Sequence, residues 1–320
     1  MNYNYYLPEG ERLHTQENLS YISSLAGLER AMRDDKILEA IAIKCDEDFN
    51  LHLNLYGIEG IIPKEECVMT VKNESIKDIA IITRVGKPVC FKVKAIEQSG
   101  DTYKVTLSRK DAQIECQNYY LSSLRAGDIA CATVTHLDTF GAFMDVGCGI
   151  SSLLSIDCIS ISRISHPSDR LRTGQKIDVV IKSNDLESGR LYVSLKELLG
   201  TWEENARDFC VGQTVSGIVR SIESYGVFVE LTPNLAGLAE INDVHHVFKD
   251  LKAGDMVSVY IKSIIPERMK IKLVLIDINL SSVERTPLRY FMDTNSATHI
   301  DRWIYSPPQC ARVIESVFKD

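Results

Sequence analysis

The most informative absences in this 320-residue chain concern catalytic and metal-binding motifs. It contains no Walker-type phosphate loop, no dinucleotide-binding glycine fingerprint and no Gly-x-Ser-x-Gly turn. No two of its nine cysteines form a Cys-x-x-Cys pair, and the neighbouring His245 and His246 would point to opposite sides of an extended chain. We therefore expect a protein that is not an enzyme and that uses neither a cofactor nor a metal.

The cysteines and the apolar segments exclude two further classes of protein. An odd number of cysteines argues against a complete disulfide framework, and positions such as Cys90 and Cys131 favour small buried side chains in a reducing compartment. No apolar run approaches the 18 or so residues of a membrane span. Residues 1–12 lack the basic and apolar regions of a secretory signal. The sequence predicts a cytoplasmic protein without a membrane segment.

The chain does contain an internal repeat. Residues 133–146 (TVTHLDTFGAFMDV) align with residues 218–231 (IVRSIESYGVFVEL). Each segment predicts a strand, a glycine-marked bend and a second strand, with two aromatic residues three positions apart. Strand alternation predicts that Phe143 and Phe228 point outward, together with the acid that follows each of them by two positions. Outward rings gain nothing from a core, but they suit a platform on which bases stack.

The repeat extends to whole units of about 75 residues. Residues 174–182 match 254–262 as a later strand, and residues 190–196 match 270–275 as a closing strand. A third, degenerate copy lies upstream within residues 36–110. Five short strands in each unit, with turns between them, predict three closed five-stranded barrels.

These motifs resemble the S1-type RNA-binding domain. The resemblance rests on Gly-Asp or Gly-Gln at the start of a unit, Phe-Gly-Ala-Phe at 140–143, a Gly-Leu turn, a Gly-x-x-Val-x-Val strand and a closing Leu-Ser-Arg-Lys. That domain is an OB-fold named after the largest small-subunit ribosomal protein of bacteria. Three copies would cover residues 36–276, and the whole chain resembles the bacterial ribosomal protein S1-like family. The implied fold is mainly β, with three tandem five-stranded OB-fold barrels and short linking helices.

The repeats and the helical spacing of apolar residues divide the chain into seven segments. A helix over Thr15–Arg33, a helix that opens at a Thr201–Glu204 capping box and runs to about Phe209, and a helix over Gln309–Phe318 are expected. The segments are an N-terminal helical segment (1–35), barrel 1 (36–110, degenerate), a linker helix (111–124), barrel 2 (125–198), a second linker helix (199–210), barrel 3 (211–277) and a C-terminal segment with a terminal helix (278–320).

The resemblance implies a binding site on each barrel. Such a site consists of two aromatic residues of the second strand, a histidine on the third strand, and one acidic and one basic residue beside the last turn. Barrel 2 matches it best, although Ser155 holds the histidine position, and barrel 3 has Glu240 there, which should weaken the approach of phosphate. In barrel 1 only two residues match, and Pro63 holds the histidine position. The expected RNA-binding residues are Phe140, Phe143, Asp185 and Arg190 in barrel 2; Tyr225, Phe228, Lys270 and Lys272 in barrel 3; and Phe49 and His52 in barrel 1.

Net charge limits how RNA could be held. The chain has 36 basic and 44 acidic residues, so a polyanion is repelled on average and must be met by local basic patches. Residues 36–110 contain 12 basic and 11 acidic residues, residues 125–200 contain 8 and 9, and residues 201–276 contain 8 and 10. The barrels are therefore nearly neutral. The clearest basic cluster is the loop 163–172 of barrel 2, which we expect beside that barrel's aromatic face. Its candidate RNA contacts are Arg163, His166, Arg170 and Arg172.

Two functions of different classes remain open at this point. The first is a single-stranded RNA (mRNA) binding protein that acts in translation, with the small ribosomal subunit as a candidate partner and barrel 2 as the main RNA site. The second is a protein-docking or ribosome-associated scaffold with little RNA affinity, in which barrel 1 or the C-terminal helix contacts protein. The retained aromatics favour RNA, whereas the acidic balance and Glu240 favour protein contacts.

Overall fold

A computed structural model describes residues 6–70, 75–99, 102–185, 190–240, 251–279, 288–294 and 296–318. Within these ranges the strands form three closed five-stranded barrels and one two-stranded sheet. In each barrel the strands follow the order first, second, third, fifth, fourth, and the third and fifth strands pair in parallel. The expected mainly β fold with three OB-type barrels is confirmed.

The same five strands recur in each barrel. Barrel 1 consists of β1 (Leu38–Cys45), β2 (Leu51–Leu55), β3 (Ile58–Ile62), β4 (Pro88–Ser99) and β5 (Thr102–Ser108). Barrel 2 consists of β6 (Ile129–Asp138), β7 (Gly141–Asp145), β8 (Ser151–Ser155), β9 (Lys176–Asp185) and β10 (Arg190–Ser194). Barrel 3 consists of β11 (Thr214–Glu223), β12 (Gly226–Thr232), β13 (Leu235–Glu240), β14 (Met256–Ile265) and β15 (Lys270–Asn279).

Strand alternation places every second side chain of these strands inside a barrel. Leu51, Leu53 and Leu55 of β2 are fully buried, and so is Met144 of β7. A register shift in the first strand of each barrel lies at the same place, so that Lys44 faces His52 in barrel 1 as His136 faces Phe143 in barrel 2. The alignment of barrel 1 with its two copies is therefore reproduced by the strand register.

The helices are shorter than expected. The predicted helix over residues 15–33 is instead α1 (Gln16–Ile22) and α2 (Leu25–Arg33). The predicted helix is interrupted between α1 and α2, because the Ser24 hydroxyl accepts the Gly27 N–H and caps the start of α2. Thr15 caps the start of α1, as predicted. A short helix, α3 (Asp78–Ile82), lies in the loop between β3 and β4.

The two linking helices also differ from their predicted bounds. α4 (Arg109–Tyr119) begins two residues before the predicted start at 111, because the Ser108 hydroxyl accepts the Asp111 N–H and caps the helix. α5 (Trp202–Ala206) begins at the predicted capping box, in which the side chains of Thr201 and Glu204 each accept the other residue's backbone N–H. It ends before the predicted Phe209.

The predicted C-terminal helix over residues 309–318 is wrong. Two short strands, β16 (Arg302–Ile304) and β17 (Glu315–Val317), pair antiparallel there. The Tyr305 N–H donates to the Ile314 carbonyl at 2.9 Å, and the Phe318 N–H donates to Asp301 at 3.0 Å. Helical spacing of apolar residues in so short a segment is a weak signal, and pairing with a distant strand outweighs it.

The C-terminal segment returns from barrel 3 to barrel 2. The Ile129 N–H donates to the Thr298 carbonyl at 2.9 Å, and the Ile300 N–H donates to Gly127 at 2.8 Å. His299 Nδ1 lies 2.6 Å from the Asp128 carboxylate. These contacts attach residues 298–300 to the start of barrel 2's first strand.

Candidate nucleic-acid interface

Barrel 2 presents the predicted pair of aromatic side chains. Phe140 ends the turn before β7 and is 50% exposed, and Phe143 on β7 is half-buried. Their ring centroids lie 5.8 Å apart with the rings nearly perpendicular, at 89°. An edge-to-face pair of this kind is favourable in itself and leaves the exposed Phe140 ring open to a stacking partner.

The glycine between the two aromatics is required by a close approach of the next strand. A Cβ on Gly141 would lie 2.5 Å from the Leu154 carbonyl oxygen, and one on Gly226 would lie 2.5 Å from that of Ala239. No larger side chain fits without moving backbone. The aromatic-glycine sequence therefore follows from the packing of the second strand on the third.

Two further rings extend the face of barrel 2, and the repeat comparison did not identify them. His136 pairs in register with Phe143, and their ring centroids lie 6.0 Å apart at an interplanar angle of 26°. Leu153 is the neighbour of Phe143 on β8, and Tyr192 is in turn the neighbour of Leu153 on β10. The signal that could have found them is the strand register, because side chains of adjacent strands in register share one face.

Barrel 3 repeats this geometry. Tyr225 is 58% exposed, and its ring centroid lies 6.1 Å from that of the half-buried Phe228 at 90°. Ser221 takes the register position that His136 holds in barrel 2. Both barrels therefore offer one exposed and one half-buried ring in the same arrangement.

The expected acid in barrel 3 is neutralised locally. Lys272 Nζ lies 2.9 Å from the Glu240 carboxylate. The hydrogen bond and charge of Lys272, with smaller contributions from Lys262 and Lys270, lower the pKa of Glu240. Glu240 therefore remains ionised, but it also occupies one of the lysines that the resemblance assigned to RNA.

The face of barrel 1 is closed by contacts within the chain. His52 is 8% exposed, with Nε2 2.9 Å from Asp46 and Nδ1 2.8 Å from Glu59. The ring of Phe49 lies under the Lys64 ammonium group at 4.3 Å. The expectation that Phe49 and His52 offer a stacking surface is contradicted for His52, because carboxylates hold both of its ring nitrogens.

The acid and base beside the last turn of barrel 2 are in register across two strands. Asp185 ends β9 and pairs with Arg190 at the start of β10. Asp185 is exposed. The side chain of Arg190 and residues 186–189 lie outside the described part of the structure. The histidine pair His245 and His246 also lies outside it.

The basic loop of barrel 2 packs on barrel 3, which corrects its expected place. The Ser162 N–H donates to the Pro233 carbonyl at 3.1 Å, and the Ile161 N–H donates to Asn234 Oδ1 at 2.9 Å. The side chain of Arg170 is 6% exposed and forms an ion pair with Glu230 of β12. Arg170 is thus held by barrel 3 rather than available to RNA at the face of barrel 2.

The other candidates of that loop differ in availability. His166 Nδ1 accepts the Ser168 N–H at 3.1 Å and caps a short 3₁₀ turn, so this ring nitrogen is engaged within the loop. Arg163 and Arg172 are exposed. These two arginines follow segments that contact barrel 3, so they lie beside the junction of barrels 2 and 3.

The acids predicted to point outward from the aromatic strands are buried. Glu230 is 4% exposed because Arg170 and Arg220 enclose it, with Arg220 Nε at 2.8 Å. Asp145 is 2% exposed and accepts the Glu9 N–H at 2.7 Å. Both residues lie on the outer face of their barrel, as predicted, but a neighbouring part of the chain covers each of them.

A buried ionic cluster fills the junction of barrels 1 and 2. Arg109 Nε lies 2.6 Å from the Glu9 carboxylate, and Arg84 also contacts it at 3.3 Å. Burial would raise the pKa of Glu9, but the charge and hydrogen bonds of Arg109 outweigh this effect of burial. The pKa of Glu9 is therefore lowered. Burial and the nearby Glu9 charge raise the pKa of Asp145 to about 7. Such a cluster fixes the junction, because a buried charge is costly unless its partners stay in place.

The described residues include no group of three or more histidine, cysteine, aspartate or glutamate side chains placed to hold a metal ion. Among the same residues, no helix is both long and apolar enough to cross a membrane. All nine cysteines are free thiols.

A closed five-stranded barrel of this strand order, with an exposed ring in the turn before its second strand and a half-buried ring on that strand, has the architecture of the OB-fold class, whose members include nucleic-acid-binding domains. The profile of the S1 RNA binding domain family matches residues 123–196 and 208–275, which are barrels 2 and 3. The chain is 29% identical over 301 residues to the small ribosomal subunit protein bS1 of Leuconostoc lactis, covering 89% of this chain and 63% of that protein. The bS1 protein of Staphylococcus aureus strain COL is 27% identical over 278 residues, covering 84% and 67%. Barrels 2 and 3 match the S1 RNA binding domain family, and the chain spans about two thirds of the length of these two relatives.

Solved structures similar to this chain include two bacterial proteins. A multidomain protein with nucleic acid binding domains from Streptococcus pneumoniae is 14% identical, covers 78% of this chain and 76% of its own, and has a TM-score of 0.24. GSP13 from Bacillus subtilis is 35% identical, covers 21% of this chain and 55% of its own, and has a TM-score of 0.20.

Proposed function

We propose that this chain binds single-stranded RNA on the aromatic faces of barrels 2 and 3 and acts in translation as a cytoplasmic, ribosomal protein S1-like factor. It acts as a binding protein and not as an enzyme. The observation that carries the proposal is the repeated pair of rings, one exposed and one half-buried, at the same register position in both barrels. Exposed rings on a barrel strand stack on bases of any sequence, because every base has a π-face.

Exposed cations on barrel 3 and at the junction of barrels 2 and 3 support a role in holding phosphates. On barrel 3, Lys270 and Lys272 lie on β15, and Lys270 is exposed. At the junction of barrels 2 and 3, Arg163 and Arg172 are exposed. A few local cations are enough for a strand that is held mainly by stacking, which fits a chain with a net charge of −8.

The aromatic faces can be tested by paired alanine variants. Phe140→Ala with Phe143→Ala removes the rings of barrel 2, and Tyr225→Ala with Phe228→Ala removes those of barrel 3. We expect each double variant to weaken binding of a short single-stranded RNA by about 1–3 kcal/mol per stacked base. Fluorescence anisotropy with a labelled oligomer measures the loss.

A matched control separates this effect from a general loss of aromatic surface. Tyr56 is exposed in the turn between β2 and β3 of barrel 1, and Tyr56→Ala should leave the affinity unchanged. Unchanged affinity in both double variants would show that RNA, if it binds, uses another surface. A loss in only one of them would identify the barrel that carries the binding.

The names of the relatives support an association with the small ribosomal subunit, because both are small ribosomal subunit proteins. Cosedimentation of the full chain with purified small subunits tests this directly. We expect binding at low salt that persists in part at high salt when an RNA strand is present. Absence of the chain from the subunit fraction at low salt would refute the association.

Barrel 1 favours a second function, protein contact, for one specific reason. Its stacking face is closed at His52, while Ile41 and Ile43 of β1 and Ile79 and Ile82 of α3 are exposed. Ile41 and Ile43 alternate to the same side of β1, and exposed apolar side chains that lie side by side are typical of protein contacts. Ile43→Glu should then reduce cosedimentation with the small subunit and leave the affinity for free RNA intact. Equal cosedimentation of variant and parent would remove this second candidate.

A further inference from the structure

The phenylalanine on the second strand of barrel 2 belongs to a row of side chains that crosses four strands. Strand register places His136 of β6 beside Phe143 of β7. It also places Phe143 beside Leu153 of β8, and Leu153 beside Tyr192 of β10. Neighbouring strands lie about 4.8 Å apart, so these four side chains, here named the barrel 2 row, extend over about 14 Å.

The barrel 2 row lies on the solvent side of the barrel wall. Met144, Leu154 and Val193, which each follow a member of the row by one position, are fully buried inside the barrel. Alternation along the strands therefore turns the row outward. His136 is exposed, and the other three members are half-buried. All four side chains are therefore within reach of a ligand that lies on the barrel surface.

Three members of the row carry rings. The ring of His136 lies 6.0 Å from that of Phe143, centroid to centroid, at an interplanar angle of 26°. Phe140 contacts Phe143 edge to face at 5.8 Å, so it adds a ring beside the row. With Tyr192, the surface of barrel 2 has four rings, whereas the repeated sequence motif accounts for two. Each ring is a surface on which a base of any kind stacks.

The same register positions of barrel 3 hold a single ring. Its row consists of Ser221 of β11, Phe228 of β12, Leu238 of β13 and Lys272 of β15. A hydroxyl and an ammonium group therefore occupy the two ends, where the barrel 2 row has an imidazole and a phenol ring. The two barrels share the motif pair of rings and differ at both ends of the row.

We propose that His136 and Tyr192 each stack on a base of single-stranded RNA, and that these two contacts make barrel 2 the tighter of the two RNA sites. This inference rests on the proposed RNA-binding function and adds two contact residues and an order of affinity to it. At roughly 3.4 Å per nucleotide, a row of about 14 Å spans about four nucleotides. Each stacked base should contribute about a tenfold change in affinity.

The test measures barrel 2 within the full chain. Tyr225→Ala with Phe228→Ala removes the rings of barrel 3, and this double variant is the reference. In it, His136→Ser and Tyr192→Ser should each weaken binding of a single-stranded RNA of about 12 nucleotides by about tenfold. His136→Phe and Tyr192→Phe retain a ring and should keep the affinity of the reference. Fluorescence anisotropy with a labelled oligomer gives each affinity.

A second comparison separates stacking by His136 from support of its neighbour. A residue that only orients the Phe143 ring loses its effect once that ring is absent. When Phe143→Ala is added to the reference, His136→Ser should still weaken binding by about tenfold. Absence of any further loss would make His136 a positioning residue and overturn its part of the inference. Tyr56→Ser, which removes an exposed ring of barrel 1, is the control and should leave the affinity unchanged.

The difference between the barrels can also be transferred from one to the other. In a chain whose four barrel 2 rings are replaced by alanine, the RNA is left to barrel 3. Ser221→His then places a ring in register with Phe228 and should tighten binding by about tenfold. Ser221→Thr keeps a hydroxyl group at this position and should leave the affinity unchanged. Equal affinities of the two variants would contradict the assigned role of this register position.

The outcomes separate this inference from the proposed function. Unchanged affinity after His136→Ser with Tyr192→Ser, or an equal loss in the variants that retain a ring, overturns the inference alone, provided that Phe140→Ala with Phe143→Ala still weakens binding. So does a barrel 3 site that binds as tightly as that of barrel 2. Absence of binding by the parent chain would overturn the proposed function and this inference together.

Discussion

Glu39 offers the sharpest test of the energetics of barrel 1. This carboxylate on β1 is fully buried, and Oε2 accepts the N–H groups of Gly10 at 2.9 Å and Arg12 at 3.0 Å. Oε1 is buried and has no partner in the described part of the chain. Burial, assisted by the nearby Glu9 charge, raises the pKa of Glu39 from 4.5 to about 7.

The raised pKa makes the stability of barrel 1 depend on pH. Between pH 4.5 and about 7 the folded chain keeps a proton on Glu39 that the unfolded chain releases. The free energy of unfolding therefore falls as the pH rises through this interval. A shift of about 2.5 pKa units corresponds to roughly 3 kcal/mol lost above pH 8, at about 1.4 kcal/mol per unit.

Glu39→Gln should remove this loss, because a neutral amide resembles the protonated acid. We expect parent and variant to have similar stability at pH 4.5, and the variant to be more stable by about 3 kcal/mol at pH 8. Trp202 and Trp303 both lie outside barrel 1, so tryptophan fluorescence does not report on it. Amide hydrogen exchange of peptides from β1 and β4, corrected for intrinsic rates, reports on barrel 1 directly. At pH 8 the amides of these strands should be protected about 100-fold more in the variant than in the parent.

The control is Glu29→Gln on α2, an exposed glutamate in the same part of the chain. It should follow the parent at both pH values. If Glu39→Gln is no more protected than the parent at pH 8, or if the two proteins show the same pH dependence, burial of an ionised Glu39 does not limit the stability of barrel 1.

Three further outcomes follow from contacts described above. Glu240→Gln should free Lys272, tighten single-stranded RNA binding and steepen the log–log salt slope by about 0.7, and an unchanged slope would mean that Lys272 does not meet phosphate. With two or three phosphate contacts in the parent chain, the log–log salt slope measured by titration should be about −1.5 to −2. Duplex RNA should bind more weakly than single-stranded RNA. A slope steeper than about −4 would indicate an extended cationic surface. Thr201→Ala removes one half of the capping box of α5 and should lower the free energy of unfolding by about 1 kcal/mol in urea titrations, with Thr201→Ser as a control that retains the hydroxyl.

The barrels and the aromatic faces could be predicted because their signals are local and repeated. Alternation along one strand fixes which side chains point outward, and a second copy with the same spacing shows that the pattern is not accidental. Phe140 and Tyr225 are exposed, and each lies beside a half-buried phenylalanine, as that pattern required. Strand register adds His136 and Tyr192, which single-strand periodicity does not reveal.

The interfaces between barrels could not be predicted, because they depend on residues far apart in the chain. Asp145 and Glu230 point outward, yet Glu9 and Arg170 bury them from 136 and 60 residues away. The same limit explains why the basic loop of barrel 2, expected beside the aromatic face of that barrel, packs on barrel 3 instead. It also explains the C-terminal segment, where a helical pattern is overridden by pairing with β16.

The attachment of residues 298–300 to barrel 2 has a consequence for how the chain folds during synthesis. His299 meets Asp128 across 171 residues of sequence, so this contact cannot form until the whole of barrel 3 has left the ribosome. At about 5–20 residues per second, the first strand of barrel 2 waits on the order of 10–30 s for that partner. Barrel 1 has its five strands complete long before. We therefore expect nascent chains that end shortly after residue 200 to protect barrel 1 fully from protease, while barrel 2 acquires its full resistance only when the C-terminal segment has emerged.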